Sequence, residues 1–105
     1  MDRFVLTARL KPDGRQRALA LLAEHSALGG EELESHMDRH TIWLTETDAI
    51  FLFEGEGAHE AVRALFNDPV RSALLGHWLP LFDGPLHQAV EAYSWEQADR
   101  QEATR

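Results

Sequence analysis

Along residues 4–10 apolar and polar positions alternate, with Phe4, Leu6, Ala8 and Leu10 on one side and Val5, Thr7 and Arg9 on the other. A period of two marks a β-strand, whose successive side chains leave opposite faces. Pro12-Asp13-Gly14 stops the strand. Asp13 with Gln16 three residues on has the spacing of a helix N-cap and its return contact. Ala18, Leu19, Leu22 and Ala23, with Leu21 beside them, then supply an apolar helical face, and Gly29-Gly30 closes the segment. Residues 36–44 and 49–54 read as two further strands around the short loop Thr45-Glu46-Thr47-Asp48. With Glu46-Thr47 as the turn, Trp43 pairs with Ile50, Thr41 with Leu52 and Arg39 with Glu54, while His40 meets Phe53 and Ile42 meets Phe51 on the other face. The opposite charges of Arg39 and Glu54 favour that register.

A second helix is predicted over about residues 58–66, carrying Ala61, Val62, Leu65 and Phe66. Asn67-Asp68-Pro69 breaks and restarts it, since Asp is a good N-cap and Pro fits the first helical position. Residues 70–75 run on to Gly76 and into His77-Trp78-Leu79-Pro80-Leu81-Phe82. Asp83-Gly84-Pro85 then turns the chain, and residues 86–95 predict a fourth strand. Residues 96–105 are polar without apolar periodicity and read as a frayed tail, leaving one domain over residues 1–95.

The element order is therefore β-α-β-β-α-β, with strands one and three central and strands two and four at the edges. Phe4-Val5-Leu6 and residues 49–53 are apolar on both faces, as strands buried on both sides require. Two helices cover only one face of such a sheet. The other face would leave an apolar patch on the order of several hundred Å², more than soluble monomers usually expose. The expected cover is a second copy of the chain.

Composition narrows the function. At 105 residues there is room for one core, and 44% hydrophobic against 27% charged residues excludes a wholly disordered chain. With no cysteine there is no disulfide framework, thiolate zinc site or thiol nucleophile. The formal net charge is −8, with one lysine, Lys11, and nine arginines scattered among 18 acids. Phosphate backbones are bound by clustered Lys and Arg, so neither nucleic acid nor an anionic membrane is an expected partner. No apolar run approaches the roughly 20 residues of a membrane span, and no signal-like segment precedes the first strand, so the expected location is cytoplasmic.

In element order, in the break at Asn67-Asp68-Pro69 and in the His77-Trp78 segment leading to the last strand, residues 3–95 resemble the dimeric α/β-barrel superfamily. The resemblance implies a ferredoxin-like α+β fold, a four-stranded antiparallel sheet with helices on one face. It further implies a homodimer packed sheet to sheet, with a small ligand held between sheet and helices. The superfamily includes cofactor-free monooxygenases, haem-degrading monooxygenases, muconolactone-type isomerases and sugar mutarotases. Haem-degrading members carry an Asn on the first strand, where this chain offers Thr7; His59 and His77 are the only histidines in its second helical region. Mutarotase members carry a Trp-Trp pair, of which His77-Trp78 is half. The expectation is a small apolar or aromatic organic ligand and no cofactor. With turnover the chain would be an oxygenase or isomerase, and the alternative is a non-catalytic interaction module.

The densest polar cluster is His36-Met37-Asp38-Arg39-His40. On a strand, His36, Asp38 and His40 share a face, but the two histidines stand about 13 Å apart, too far for one metal ion. On a helix they would sit at i and i+4 and could share zinc. The β-rich run Thr41-Ile42-Trp43-Leu44 favours the strand, and with it no metal. The segment is then a solvated edge or holds a catalytic base. His77 is either a general base near pH 7 or a core-edge histidine satisfied by a backbone carbonyl. Tyr93 is a candidate proton donor on a last-strand face shared with His87, Ala89, Glu91 and Trp95. The catalytic candidates are therefore His40, His77 and Tyr93. Candidate ligand contacts are His36, Asp38, Trp43, Phe51 and Trp78, the aromatic ones serving as packing or as walls of a flat pocket. His25 and His59 read as surface residues. No nucleophilic-serine elbow, phosphate-cradling glycine loop or dinucleotide fingerprint is present.

Overall fold

The computed structural model describes residues 2–24, 37–67, 75–95 and 97. In chain order these form β1 (Arg3–Arg9), α1 (Gly14–Glu24), β2 (Arg39–Leu44), β3 (Asp48–Glu54), α2 (Ala58–Asn67) and β4 (His87–Ala89). Short 3-10 turns at Leu75–His77 and Leu79–Leu81 lie between α2 and β4. The strands make one antiparallel sheet in the order β2-β3-β1-β4. The architecture is the expected ferredoxin-like α+β arrangement.

β1 and β3 pair over their full length, from Arg3 opposite Glu54 to Arg9 opposite Asp48. The β2–β3 hairpin has the register expected from its charge and apolar pattern, Arg39 opposite Glu54 and Trp43 opposite Ile50. Its turn closes without an Asn-Gly pair. The Thr45 hydroxyl accepts the backbone N–H groups of Thr47 and Asp48 at 3.2 and 2.8 Å, and the Thr45 N–H donates to the Asp48 carbonyl. A threonine side chain thus takes the place of the backbone turn.

The face of Phe4, Leu6, Ala8, Leu10, Ala49, Phe51 and Phe53 is buried, together with Ala18 of α1, Ala58 and Val62 of α2, and Trp78, Leu81 and Phe82. Trp78 meets Phe51 edge-on at 5.1 Å and 83°, an arrangement that matches a positive ring edge to a negative ring face. Val5, Thr7, Ile50 and Leu52 lie on the opposite face, partly exposed. No described helix is long and apolar enough to cross a membrane.

Three expectations change. On α1 the inward stripe is Gly14, Ala18, Leu21 and Leu22, at helical spacing, which turns Leu19 (54% exposed) and Ala23 to solvent. β2 begins at Arg39 rather than at position 36; Asp38 lies in a bend, its N–H donating to the Glu54 carbonyl at 2.7 Å. β4 has three residues instead of ten. Its register sets Val5 opposite Ala89, so Arg3, where β1 begins, stands opposite position 91, and the described residues offer no strand beyond it to pair with. His36, Gly29-Gly30, Asp68-Pro69 and most of the polar tail lie outside the described residues.

Candidate functional site

Among the described strand positions on the helix-covered face, nine are apolar or glutamine and one is titratable. That one is His40, on edge strand β2 opposite Phe53. Its ring stacks on Phe53 at 4.3 Å and 14°. Its Nδ1 lies 2.9 Å from the Leu52 carbonyl oxygen. A carbonyl only accepts, so Nδ1 carries a proton; in the neutral form of the ring the lone pair is then on Nε2. Nε2 is buried. Ile42, Leu44 and Met37, partly buried against the core, form the apolar surroundings on the same side. The hydrogen bond at Nδ1 fixes the orientation of the ring.

The other candidates are distributed. Phe51 and Trp78 are 0% and 1% exposed and fill each other's space, with Phe82 against both, so they form the floor beneath the covered face. His77 is exposed on the 3-10 turn, its neighbour Trp78 taking the inward position. It is therefore not at the core edge. Tyr93 is 82% exposed beyond β4. β2 and β4 are opposite edges of the sheet, three strand spacings or about 14 Å apart; His40 and Tyr93 of one chain do not share a cleft. Trp43, expected among the packing aromatics, is 49% exposed on the open face. His59 is a surface residue as expected, stacked on Phe4 at 4.8 Å, with Nε2 accepting from the Arg63 guanidinium at 3.1 Å.

Asp38 does not join His40. It lines a groove of about 650 Å³ at one end of the sheet with Asp2, Arg3, Arg39, Glu54 and Glu91. Arg3 crosses this groove as a bridge, Nε 3.3 Å from Glu54 and Nη1 2.9 Å from Glu91. Sequence reasoning found the Arg39–Glu54 match and missed this bridge, which joins the first and last strands. The available signal was Arg3 at the start of one central strand and Glu54 at the end of the other. No three His, Asp or Glu side chains among the described residues gather to hold a metal ion.

No protein-family model matches the chain, and no curated protein matches its sequence. Among solved structures it is similar to tetracenomycin F2 cyclase from Streptomyces glaucescens, a type-II polyketide cyclase. The two are 18% identical with a TM-score of 0.68, over 91% of this chain and 98% of that one. Protein Atu4242 from Agrobacterium tumefaciens is also 18% identical, with a TM-score of 0.58 over 88% of this chain and 94% of that one. The chain thus shares with these structures a ferredoxin-like α+β fold. At this identity the likeness is one of fold, and fold does not select a reaction.

Proposed function

We propose that this chain is a small-ligand domain that works as a homodimer, holds an apolar or aromatic molecule on the helix-covered side of its sheet, and uses His40 for proton transfer. The observation that carries the reading is His40 itself, the one titratable side chain among the described strand positions of that face, with Nδ1–H anchored on the Leu52 carbonyl. With Nδ1–H held, Nε2 is the ring atom that would take a proton from a carbon next to a carbonyl or from a phenol and return it elsewhere on the same molecule. Proton removal and return isomerises a substrate; attack of the resulting carbanion on a second carbonyl closes a ring. Attack on dioxygen would make the same site an oxygenase. None of these requires a resident cofactor for the first step. The fold shared with a polyketide cyclase supplies the substrate class to try first, polyketide-derived phenols and anthrones.

The test follows tryptophan fluorescence and substrate absorbance while a hydroxyanthrone is titrated into the protein. Turnover is expected, and His40→Ala should lower kcat by about 10²- to 10⁴-fold, the usual contribution of a positioned general base, with binding changed only a few-fold. Undiminished turnover in the variant removes His40 from the mechanism. Binding without turnover favours the non-catalytic module. Light scattering after size exclusion should give about twice the 11.9 kDa chain mass; a monomer at micromolar concentration would refute the dimer.

A further inference from the structure

Four rings cross the helix-covered side of the sheet in sequence, from its β2 edge towards α2. The His40 ring on β2 lies on Phe53 of β3, with centroids 4.3 Å apart and planes 14° from parallel. Phe53 meets Phe4 of β1 at 6.3 Å and 47°, and Phe4 in turn carries the His59 ring of α2 at 4.8 Å and 25°. The order follows from the register, which sets His40 opposite Phe53 and Phe53 opposite Phe4. Phe53 is fully buried, and His40 is half-buried at the edge of the sheet. Phe53 therefore fills the core and also offers its ring face to the imidazole. An aliphatic side chain would do the first without the second.

The face of a phenyl ring is the negative part of its quadrupole. A neutral imidazole laid on it gains dispersion. An imidazolium gains a charge–quadrupole attraction besides, acting when the cation lies within about 6 Å of the ring centroid. The Leu52 carbonyl oxygen, 2.9 Å from Nδ1, works in the same direction, since a charged donor makes the stronger hydrogen bond. One group meets the imidazole at its edge and the other at its face. We infer that Phe53 is a positioning residue for His40, holding the imidazole plane and favouring the imidazolium that forms when Nε2 takes a proton, so that this ring sets the basicity of the site. In the proton transfer proposed above, the Nε2 lone pair takes the proton and the bonding pair stays on the substrate's carbon or oxygen. The positive charge then sits on a ring already seated on Phe53, and return of the proton restores the neutral imidazole. This inference rests on that role of His40 and adds the group that tunes it.

Among the described residues, the charged and titratable groups on the elements around His40 are Asp38 and Arg39 beside it, Glu54 ending β3, Arg3 opening β1, and His59, Glu60 and Arg63 on α2. Arg39, Glu54 and Arg3 alternate with His40, Phe53 and Phe4, and so leave the opposite face of the sheet. Asp38 lines the groove at the end of the sheet with them. His59 is separated from His40 by two rings and accepts from Arg63, and Glu60 is exposed. Burial opposes the imidazolium, and the charges act on it in both directions. A change confined to the electron density of the Phe53 ring leaves all of those contributions in place and isolates the contact.

The test replaces Phe53, by amber suppression, with phenylalanines carrying one, two or five ring fluorines, which withdraw density from the ring face stepwise with little change of shape. The His40 titration is followed by the NMR signals of its imidazole C–H groups, assigned as those missing from His40→Ala. A contact of this kind favours the charged form by a factor of about 2–30. The midpoint should therefore fall with each added fluorine, by about 0.4–1.5 pH units for the pentafluoro ring. Phe53→Leu, which keeps an apolar residue but removes the ring, should lower it to a similar extent. A midpoint that stays constant across the fluorine series, whatever the melting temperatures do, overturns the inference and reduces Phe53 to core packing. With a hydroxyanthrone as substrate, the acid limb of the pH–rate profile should move to lower pH by the same amount as the NMR midpoint. A falling midpoint in a protein without turnover upholds the effect of Phe53 on His40 and removes the proton transfer. Turnover with a constant midpoint does the reverse.

Discussion

Gly14 opens α1 where the helix crosses the end of β1, and its replacement by alanine tests whether close packing or helix propensity governs that crossing. A Cβ at Gly14 would sit 2.9 Å from the Leu10 Cβ and 3.0 Å from the Leu81 carbonyl oxygen. Neither neighbour can swing aside. Leu10 is fixed by its bridge to Phe82, and the Leu81 carbonyl accepts the Lys11 N–H at 2.9 Å. Alanine gains up to about 1 kcal/mol from helix propensity and reduced unfolded-state freedom. Overpacking a rigid contact costs about 1–3 kcal/mol. The clash wins, with a net loss of about 1–2 kcal/mol. For a domain of this size each kcal/mol moves the midpoint by about 4–8 °C, so thermal melting followed by circular dichroism should show Gly14→Ala lower by about 5–15 °C. Gly76→Ala is the internal control, since no described residue lies within 4 Å of its Cβ position; its melting point should stay within about 2 °C of the parent. An unchanged or raised melting point for Gly14→Ala would show that α1 does not press on Leu10 and Leu81 as described.

Trp78→Ala should cost about 3–5 kcal/mol in urea denaturation, the usual range for emptying a buried aromatic site, because the ring is 1% exposed and packed against both Phe51 and Phe82. A cost below about 1 kcal/mol would place Trp78 outside the core. A strong chelator should leave the melting temperature unchanged, since β2 holds no pair of histidines at ligand spacing among the described residues. A large loss on chelation, reversed by zinc, would show that the histidine-rich segment around position 36 has been misread.

The hairpin and the central strands were legible because a period-two pattern and a single charge pair specify the same register, and a one-residue slip would expose Phe51 and Phe53. The covered side was not legible. Val5, Ile50 and Leu52 are as apolar as Leu6 and Ala49, and only the packed structure shows that the helices choose the face bearing Phe4, Phe51 and Phe53. α1 was misjudged in rotation because Leu19 fits the apolar period as well as Leu21 does. What decides is Gly14, whose missing side chain lets the helix approach Leu10 and so fixes which residues turn inward. At the site, His40 was a candidate by residue type alone. The role proposed for it depends on a hydrogen bond to the Leu52 carbonyl, and backbone acceptors are present on every strand, so no sequence pattern points to that one. Asp38 was grouped with His40 by strand alternation, which fails because pairing regularity begins at Arg39.

The last strand shows how a local pattern is limited by its partner. Residues 86–95 alternate well enough to specify a ten-residue strand, yet backbone pairing ends at Ala89. The side-chain contact from Arg3 to Glu91 carries the association two residues further. Beyond it the antiparallel register has used up β1, and residues 92–95 have no strand edge to join among the described residues. Tyr93 and Trp95, alternate positions in the sequence, are left 82% and 67% exposed, and Val90 82%. Burying such side chains is worth roughly 1.5–3 kcal/mol each, so a chain that displays three of them beside an open sheet face retains a strong drive to cover them.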